Sequence, residues 1–266
     1  MKTKIKSPVR FVILIILCLS ALLLSSCAKE DNWSKATIIS HACGGIDKHS
    51  YTNSAEALDL SISEGFYAIE IDFRYTSDGT LICAHDWEDL GLEVAPSLED
   101  FMKLKINDLY TPLTAEQALS KLVNTGISLV VDTKEDDAVK VYKEIDTILS
   151  SIKNGEKYKE FLIPQIYYKE DFSTIKGVYD YKNYIFSVYK LKLTKDKQFE
   201  DIAQFCKDNG ITTLTVPKKK VTDERIKIIK DKGLRIATHT VNSKKDRESF
   251  TEMGVDILYS DFLKEK

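Results

Sequence analysis

Proline and cysteine are both scarce in this chain of 266 residues, with five of each. No proline interrupts a helical pattern, so every candidate helix can run unbroken. The cysteines stand at 18, 27, 43, 83 and 206. None forms a CxxC or a Cys/His spacing, which excludes a structural zinc module. The three beyond residue 27 are too few and too scattered for a disulfide framework; spacing leaves open whether Cys43 and Cys83 pair. Basic clustering is absent as well. The formal charge is −3, and no Lys/Arg stripe of the kind a nucleic-acid interface needs is present. No apolar run reaches the roughly 20 residues of a membrane-spanning helix. Repeats and low-complexity tracts are missing. What the chain has is 43% apolar residues, enough for a full core, and a length near the roughly 250 residues of a single α/β barrel.

The first residues differ from the rest. Lys2, Lys4, Lys6 and Arg10 precede an apolar run from Phe11 to Leu24, which ends in Leu24-Ser25-Ser26-Cys27. This is the build of a secretory signal, and its end resembles the lipobox of bacterial lipoproteins. The expectation is a signal peptide over residues 1–26, a lipid-modified Cys27 and a short polar tether over 27–36. The rest, 37–266, is the folded domain. The protein is then exported and held on the cell envelope by acyl chains on Cys27. Loss of the four positive charges takes the formal charge from −3 to −7.

After the tether, short β-branched or apolar runs alternate with helical patterns, the signature of parallel strands joined by crossover helices. Strands are expected over 37–42, 66–72, 80–85, 128–132, 161–167, 184–189, 212–216, 234–240 and 256–260. Asn53 with Glu56 reads as a capping box opening a helix that Gly65 closes. Further helices are expected over 114–123 and 136–153, and others end at Gly210, Gly233 and Gly254. Nine strands are one too many for an eight-stranded barrel. The tight turn Thr76-Ser77-Asp78-Gly79 resolves the excess, because it folds 80–85 back as a hairpin arm. The predicted fold is a TIM (β/α)8 barrel with a hairpin arm after the second strand and an irregular segment over 87–111.

In such barrels the chemistry sits at the C-terminal ends of the strands. Those ends carry His41, then Glu70 and Asp72, then His85 and Asp86 on the arm, Asp132 and Lys134, and His239 with Asn242. Three of the four histidines fall at these places. Glu70-Ile71-Asp72 alternates, so both carboxylates share a face. At an effective dielectric of about 20, unit charges about 4 Å apart repel by about 4 kcal/mol. A divalent cation is the simplest way to keep Glu70, Asp72 and Asp132 ionised together, and oxygen ligands favour Mg²⁺ or Ca²⁺ over zinc.

The same residues resemble the glycerophosphodiester phosphodiesterase family of TIM barrels. That family has a His on its first strand, Glu-x-Asp on the second, then a turn and a His-Asp pair. Here these are His41, Glu70-Ile71-Asp72, Thr76-Ser77-Asp78-Gly79 and His85-Asp86. Its acid-x-Lys appears as Asp132-Thr133-Lys134, its Thr-Val-Asn as Thr240-Val241-Asn242, and Asp256 to Asp261 is similar to its last strand. Three positions depart from the pattern. Ala42 replaces an Arg after the first His, Asp132 is shorter than the usual Glu, and His239 stands where a Trp often precedes Thr-Val-Asn.

The resemblance implies metal-dependent hydrolysis of a small phosphodiester. Glu70, Asp72 and Asp132 would hold the metal, and His41 and His85 would serve as acid and base. Lys134 would contact phosphate unless it only pairs with the acids, and His239 would contact substrate unless it only fills the space of the missing Trp. No obligate protein partner is implied. A sphingomyelinase D-like or phosphatidylinositol phospholipase C-like enzyme, or a non-catalytic polyol-phosphate-binding lipoprotein, stands as the alternative. The last would be marked by loss of an acid or a histidine, and none is lost.

Overall fold

The computed structural model describes residues 32–265. The expected signal, Cys27 and the start of the tether lie outside the described residues. Nine strands form one sheet: β1 (Ile38–Ser40), β2 (Ala68–Tyr75), β3 (Leu81–Cys83), β4 (Ser128–Thr133), β5 (Leu162–Ile166), β6 (Ile185–Ser187), β7 (Thr213–Pro217), β8 (Arg235–His239) and β9 (Ile257–Ser260). Eight pair in parallel, and the pairing of β1 with both β9 and β2 closes the barrel. The ninth, β3, is antiparallel to the upper half of β2, with Phe73 opposite Cys83 and Tyr75 opposite Leu81. The barrel with its hairpin arm is the architecture that the strand count called for.

The side-chain alternation of each strand divides the barrel into layers. The inward residues of the lower layer are apolar on seven of the eight strands: Ile39, Ala68, Val130, Ile163, Ile185, Ala237 and Ile257 form one buried cluster, and β7 contributes the buried Thr213. Two residues further along each of those strands the inward position turns polar or aromatic. Ile39 is followed by His41, Ala68 by Glu70, Val130 by Asp132 and Ile163 by Gln165. On the remaining strands the upper residues are Ser187, Thr215, His239 and Tyr259. All eight upper residues line one cavity. The outward residues, such as Ile69, Ile71, Phe73, Leu129 and Val131, pack against the helices in a second and larger cluster.

The helices begin where local chemistry places caps. In α1 (Asn32–Lys35), Trp33 is only 3% exposed and joins the lower-layer cluster with the fully buried Ala36. Arg235 at the start of β8 lies 5.3 Å over the Trp33 ring and donates to its carbonyl oxygen. Asn32 donates to the Gly126 carbonyl oxygen just before β4. The last residues of the expected 27–36 tether are therefore a plug on the N-terminal end of the barrel. The cause is one large aromatic, Trp33, in an otherwise polar stretch.

Helix α2 (Ala55–Glu64) corrects the expected capping box. Its N-cap is Ser54, which accepts from the Ala57 N–H, while Asn53 lies outside at φ 44°. Glu56 instead accepts from the Thr111 N–H and hydroxyl, each at 2.8 Å. The segment expected to be irregular holds a short helix, α3 (Leu98–Lys103), capped by Ser97. Ile82, Ala84 and Phe101 form a small core of its own beneath Trp87, Leu98 and Met102. Further along, α4 (Ala115–Leu122) begins with the capping box Thr114/Gln117, and α5 (Ala138–Ser151) is capped by Asp137.

Candidate active site

The carboxylates converge as the alternation predicts. One oxygen from each of Glu70, Asp72 and Asp132 lies within 4.8 Å of the others, and all three residues are buried. Each is fixed by a different neighbour. Glu70 Oε2 accepts from the Ala42 N–H at 2.6 Å, and Ala42 reaches it in a left-handed conformation with φ 50°. The position that carries an Arg in the resembling family here supplies a backbone donor. Asp72 Oδ2 accepts from Asn53 Nδ2 at 2.8 Å, and Asn53 Oδ1 accepts from the Asp72 N–H at 3.1 Å. Asn53, read from sequence as a helix cap, is thus a support for this carboxylate. Asp132 Oδ1 accepts from the Tyr167 hydroxyl at 2.7 Å. Behind it Gln165 Nε2 donates to Tyr167, and Tyr259 donates to Gln165 Oε1, both at 2.7 Å. Nothing in the sequence pattern pointed to this relay.

Lys134 Nζ stands 2.8 Å from both Asp72 Oδ1 and Asp132 Oδ2, and it also lines the cavity. Burial would lower its pKa, but the three surrounding acids outweigh that and raise it. Burial would raise Asp72, yet the Lys134 ammonium and the charges of His85 and His41 hold it down at about 2. Glu70 goes the other way. Burial, Asp72 and Asp132 push it well above the usual carboxylate range.

These features fit a divalent cation. Three carboxylates against one ammonium leave an excess of negative charge in a buried place. Glu70 Oε1 is buried with no hydrogen-bond partner among the described residues, and Asp72 Oδ1 meets the ammonium without hydrogen-bond geometry. All the donor atoms are hard oxygens.

The histidines stand beside this cluster, each tied to a carboxylate. His41 Nδ1 lies 2.8 Å from Asp261 Oδ1. Asp261 is itself held by Asn242, whose Nδ2 donates to Oδ2 at 2.7 Å and whose Oδ1 accepts from the Asp261 N–H. His85 Nδ1 lies 2.9 Å from Asp89 Oδ2 and 3.3 Å from Asp86 Oδ2. Arg74, two residues beyond Asp72 on the same face of β2, donates to the His85 carbonyl oxygen and lies 4.9 Å over Trp87. An ionised carboxylate only accepts. Each Nδ1 therefore carries a proton, which leaves Nε2 as the nitrogen each ring offers to the cavity.

His239 completes the wall. Burial, with the charges of His41, Lys134 and Lys218, lowers it to about 4. It is a neutral ring at pH 7, and its buried Nε2 has no hydrogen-bond partner among the described residues. Tyr189, 61% exposed, stands 5.6 Å from it at the rim.

The structure brings the seven site residues His41, Glu70, Asp72, His85, Asp132, Lys134 and His239 named from sequence to one mouth. Six of them line a cavity of about 180 Å³, and the seventh, Asp72, lies behind Lys134. Cys43 and Cys83 are buried free thiols. Sequence reading missed Asp89, Asp261, Tyr51, Tyr167 and Gln165 as parts of the site. Only Asp89 left a local signal, its i,i+4 spacing from His85.

A closed α/β barrel with an acid trio and two carboxylate-held histidines at its C-terminal mouth is an enzyme equipped for metal-assisted acid–base chemistry. The chain belongs to the glycerophosphoryl diester phosphodiesterase family, whose profile matches residues 45–265. Three solved structures illustrate the shared fold. A glycerophosphodiester phosphodiesterase from Parabacteroides distasonis is 19% identical, with a TM-score of 0.67 over 85% of this chain and 93% of that one. An Oleispira antarctica phosphodiesterase in complex with its product sn-glycerol-3-phosphate is 16% identical, with a TM-score of 0.66 over 87% and 95%. The Thermotoga maritima glycerophosphodiester phosphodiesterase is 17% identical, with a TM-score of 0.64 over 85% and 94%. No curated protein matches the chain significantly by sequence.

Proposed function

We propose that the protein hydrolyses a glycerophosphodiester to an alcohol and glycerol 3-phosphate, using a divalent cation, Mg²⁺ or Ca²⁺. The observation that carries this reading is the convergence of Glu70, Asp72 and Asp132 beside a cavity that Glu70, Asp132, His41 and His85 line. Glu70, Asp72 and Asp132 would hold the cation, which supplies charge neutralisation at a phosphoryl oxygen when bound. One ring, entering as imidazole, takes the proton of the attacking hydroxyl at Nε2, and the other, entering as imidazolium, gives its Nε2 proton to the departing alkoxide. Asp261 and Asp89 hold the two rings with Nε2 available for these transfers. Lys134 neutralises the acids and offers its remaining donor capacity to phosphate. His239, neutral and with Nε2 unpartnered, offers an acceptor or donor to a substrate hydroxyl. A panel of soluble diesters assayed with and without chelator tests the reading. Turnover of glycerophosphodiesters that stops on chelation is the expected result. Activity unchanged by exhaustive chelation would sink it.

The lipobox supports an exported protein anchored through Cys27. In that arrangement the anchor is tied to the floor of the barrel, because α1 seals the end opposite the mouth. Five Cα steps separate Cys27 from Asn32, so the reach is about 18 Å at most. Two or more acyl chains hold such a protein stably where one does not. Mass spectrometry of the processed N-terminus checks this. An unmodified Cys27, or a Cys27→Ser variant that still partitions fully with membranes, would overturn the anchoring and leave the hydrolytic reading intact.

A further inference from the structure

Between the two imidazoles stands an aromatic ring, that of Tyr51. Tyr51 lies with its ring centroid 4.8 Å from that of His41 at an interplanar angle of 79°, and 4.8 Å from that of His85 at 60°. It lines the cavity and is half-buried. Among the described residues it is the one aromatic ring packed on His85. His41 has a second, looser neighbour in Tyr259 at 6.1 Å.

Tyr51 is held there at a conformational cost. It belongs to neither strand nor helix, and its φ of 58° lies in the left-handed region, which a bulky side chain avoids. Such an outlier persists only where the surroundings over-determine it, and here they do. Two residues on, the Asn53 N–H donates to the Ala42 carbonyl oxygen, and the Asn53 side chain is locked to Asp72. Before it, Ile46 and His49 exchange backbone hydrogen bonds, and the Tyr110 hydroxyl donates to Asp47 Oδ2 at 2.8 Å. The loop is pinned at both ends, with the ring of Tyr51 driven into the gap between the histidines.

We propose that Tyr51 is a positioning residue that sets the spacing of the His41 and His85 rings, so that both reach one phosphoryl group. The inference rests on the reading of these histidines as the acid–base pair. Its physical basis is the unequal support of the two rings. His41 is held from the barrel wall by Asp261, whereas His85 sits on the arm with carboxylate partners 37% and 45% exposed. Tyr51 ties the arm's ring to the barrel's ring.

The test compares Tyr51→Phe, Tyr51→Leu and Tyr51→Ala in the mature protein, with His41→Ala and His85→Ala as references, by steady-state kinetics on a glycerophosphodiester and by thermal unfolding. Tyr51→Phe keeps the ring and retains kcat within about threefold. Tyr51→Leu and Tyr51→Ala lower kcat by about tenfold to a hundredfold, the scale of a small misplacement of catalytic groups, while KM stays within a few-fold and the protein remains folded. Where Tyr51→Ala melts near the assay temperature, the bulkier Tyr51→Leu decides. Wild-type kcat in the folded Leu or Ala variant overturns the proposal. So does a Phe variant as impaired as Ala, which would move the role to the hydroxyl. Full activity in His41→Ala or His85→Ala would instead overturn the acid–base reading itself, and the two failures are distinct.

Discussion

His41 and His85 reach the same cavity by different constructions. His41 follows directly on β1, is 12% exposed, and pairs with an Asp261 that is 3% exposed and clamped by Asn242 from the end of β8. His85 lies on the arm beyond β3, is 31% exposed, and pairs with Asp89 on a single 3-10 turn, with Asp86 as a second carboxylate within 3.3 Å. One dyad belongs to the barrel wall and is unique in its geometry. The other is loop-built, solvated and redundant in its carboxylate. The difference teaches that a strand supplies precision, while a loop needs packing from elsewhere to reach it.

Replacing either histidine by alanine is expected to lower kcat by about 10²–10⁴-fold, the worth of one positioned proton transfer, with the melting temperature retained. Losses that differ by more than about a hundredfold would show that the two dyads do not contribute comparable steps.

The two carboxylate partners differ more than the rings do. Asp261→Asn removes a buried acceptor that sets the ring's tautomer, and a loss of about a hundredfold or more in kcat is expected. Asp89→Asn removes an exposed partner with Asp86 still beside the ring, so a loss of only about two- to fivefold is expected. Equal losses in the two variants, measured side by side, would erase the distinction between wall and arm.

The acid trio offers a third contrast, since Asp132 depends on a relay whereas Glu70 is held by a backbone donor. Tyr167→Phe frees Asp132 Oδ1. It is expected to weaken cation binding by about 10–100-fold, as for other partners that orient metal ligands. Isothermal titration calorimetry with Mg²⁺ or Ca²⁺ alone reads this, and unchanged affinity would show that the relay does not orient Asp132 for the cation.

The smallest effect concerns pH and stability. The folded-state pKa of Asp72 is held down at about 2. Its contribution is therefore complete well above the unfolded value near 3.9 and is lost as pH falls toward about 2. Glu70 is raised, so its sign is opposite. Without metal, ionising it opposes folding increasingly as pH rises above its unfolded value. Thermal melts of the chelated protein should lose stability from this group on the alkaline side, and added cation should restore more there than at acid pH. A cation effect independent of pH would contradict the assignment.

Much of this protein was decided locally, by period and punctuation. The alternation along 66–72 put Glu70 and Asp72 on one face, and the turn at 76–79 put His85 on an arm. Those rules act over a few residues, so a reader of the sequence can apply them. Trp33 could have been read too, as a large aromatic in a polar stretch, but its burial depends on a barrel floor that no single segment contains. Other features existed only once the barrel closed. His41 and Asp261 meet across 220 positions of sequence, and Tyr167 and Asp132 across 35. Tyr51 enters the site through a left-handed backbone that its own residue type disfavours. Propensity and spacing describe what a segment prefers. Which distant partner satisfies a buried carboxylate, and which residue is forced against its preference to do so, is settled by tertiary packing alone.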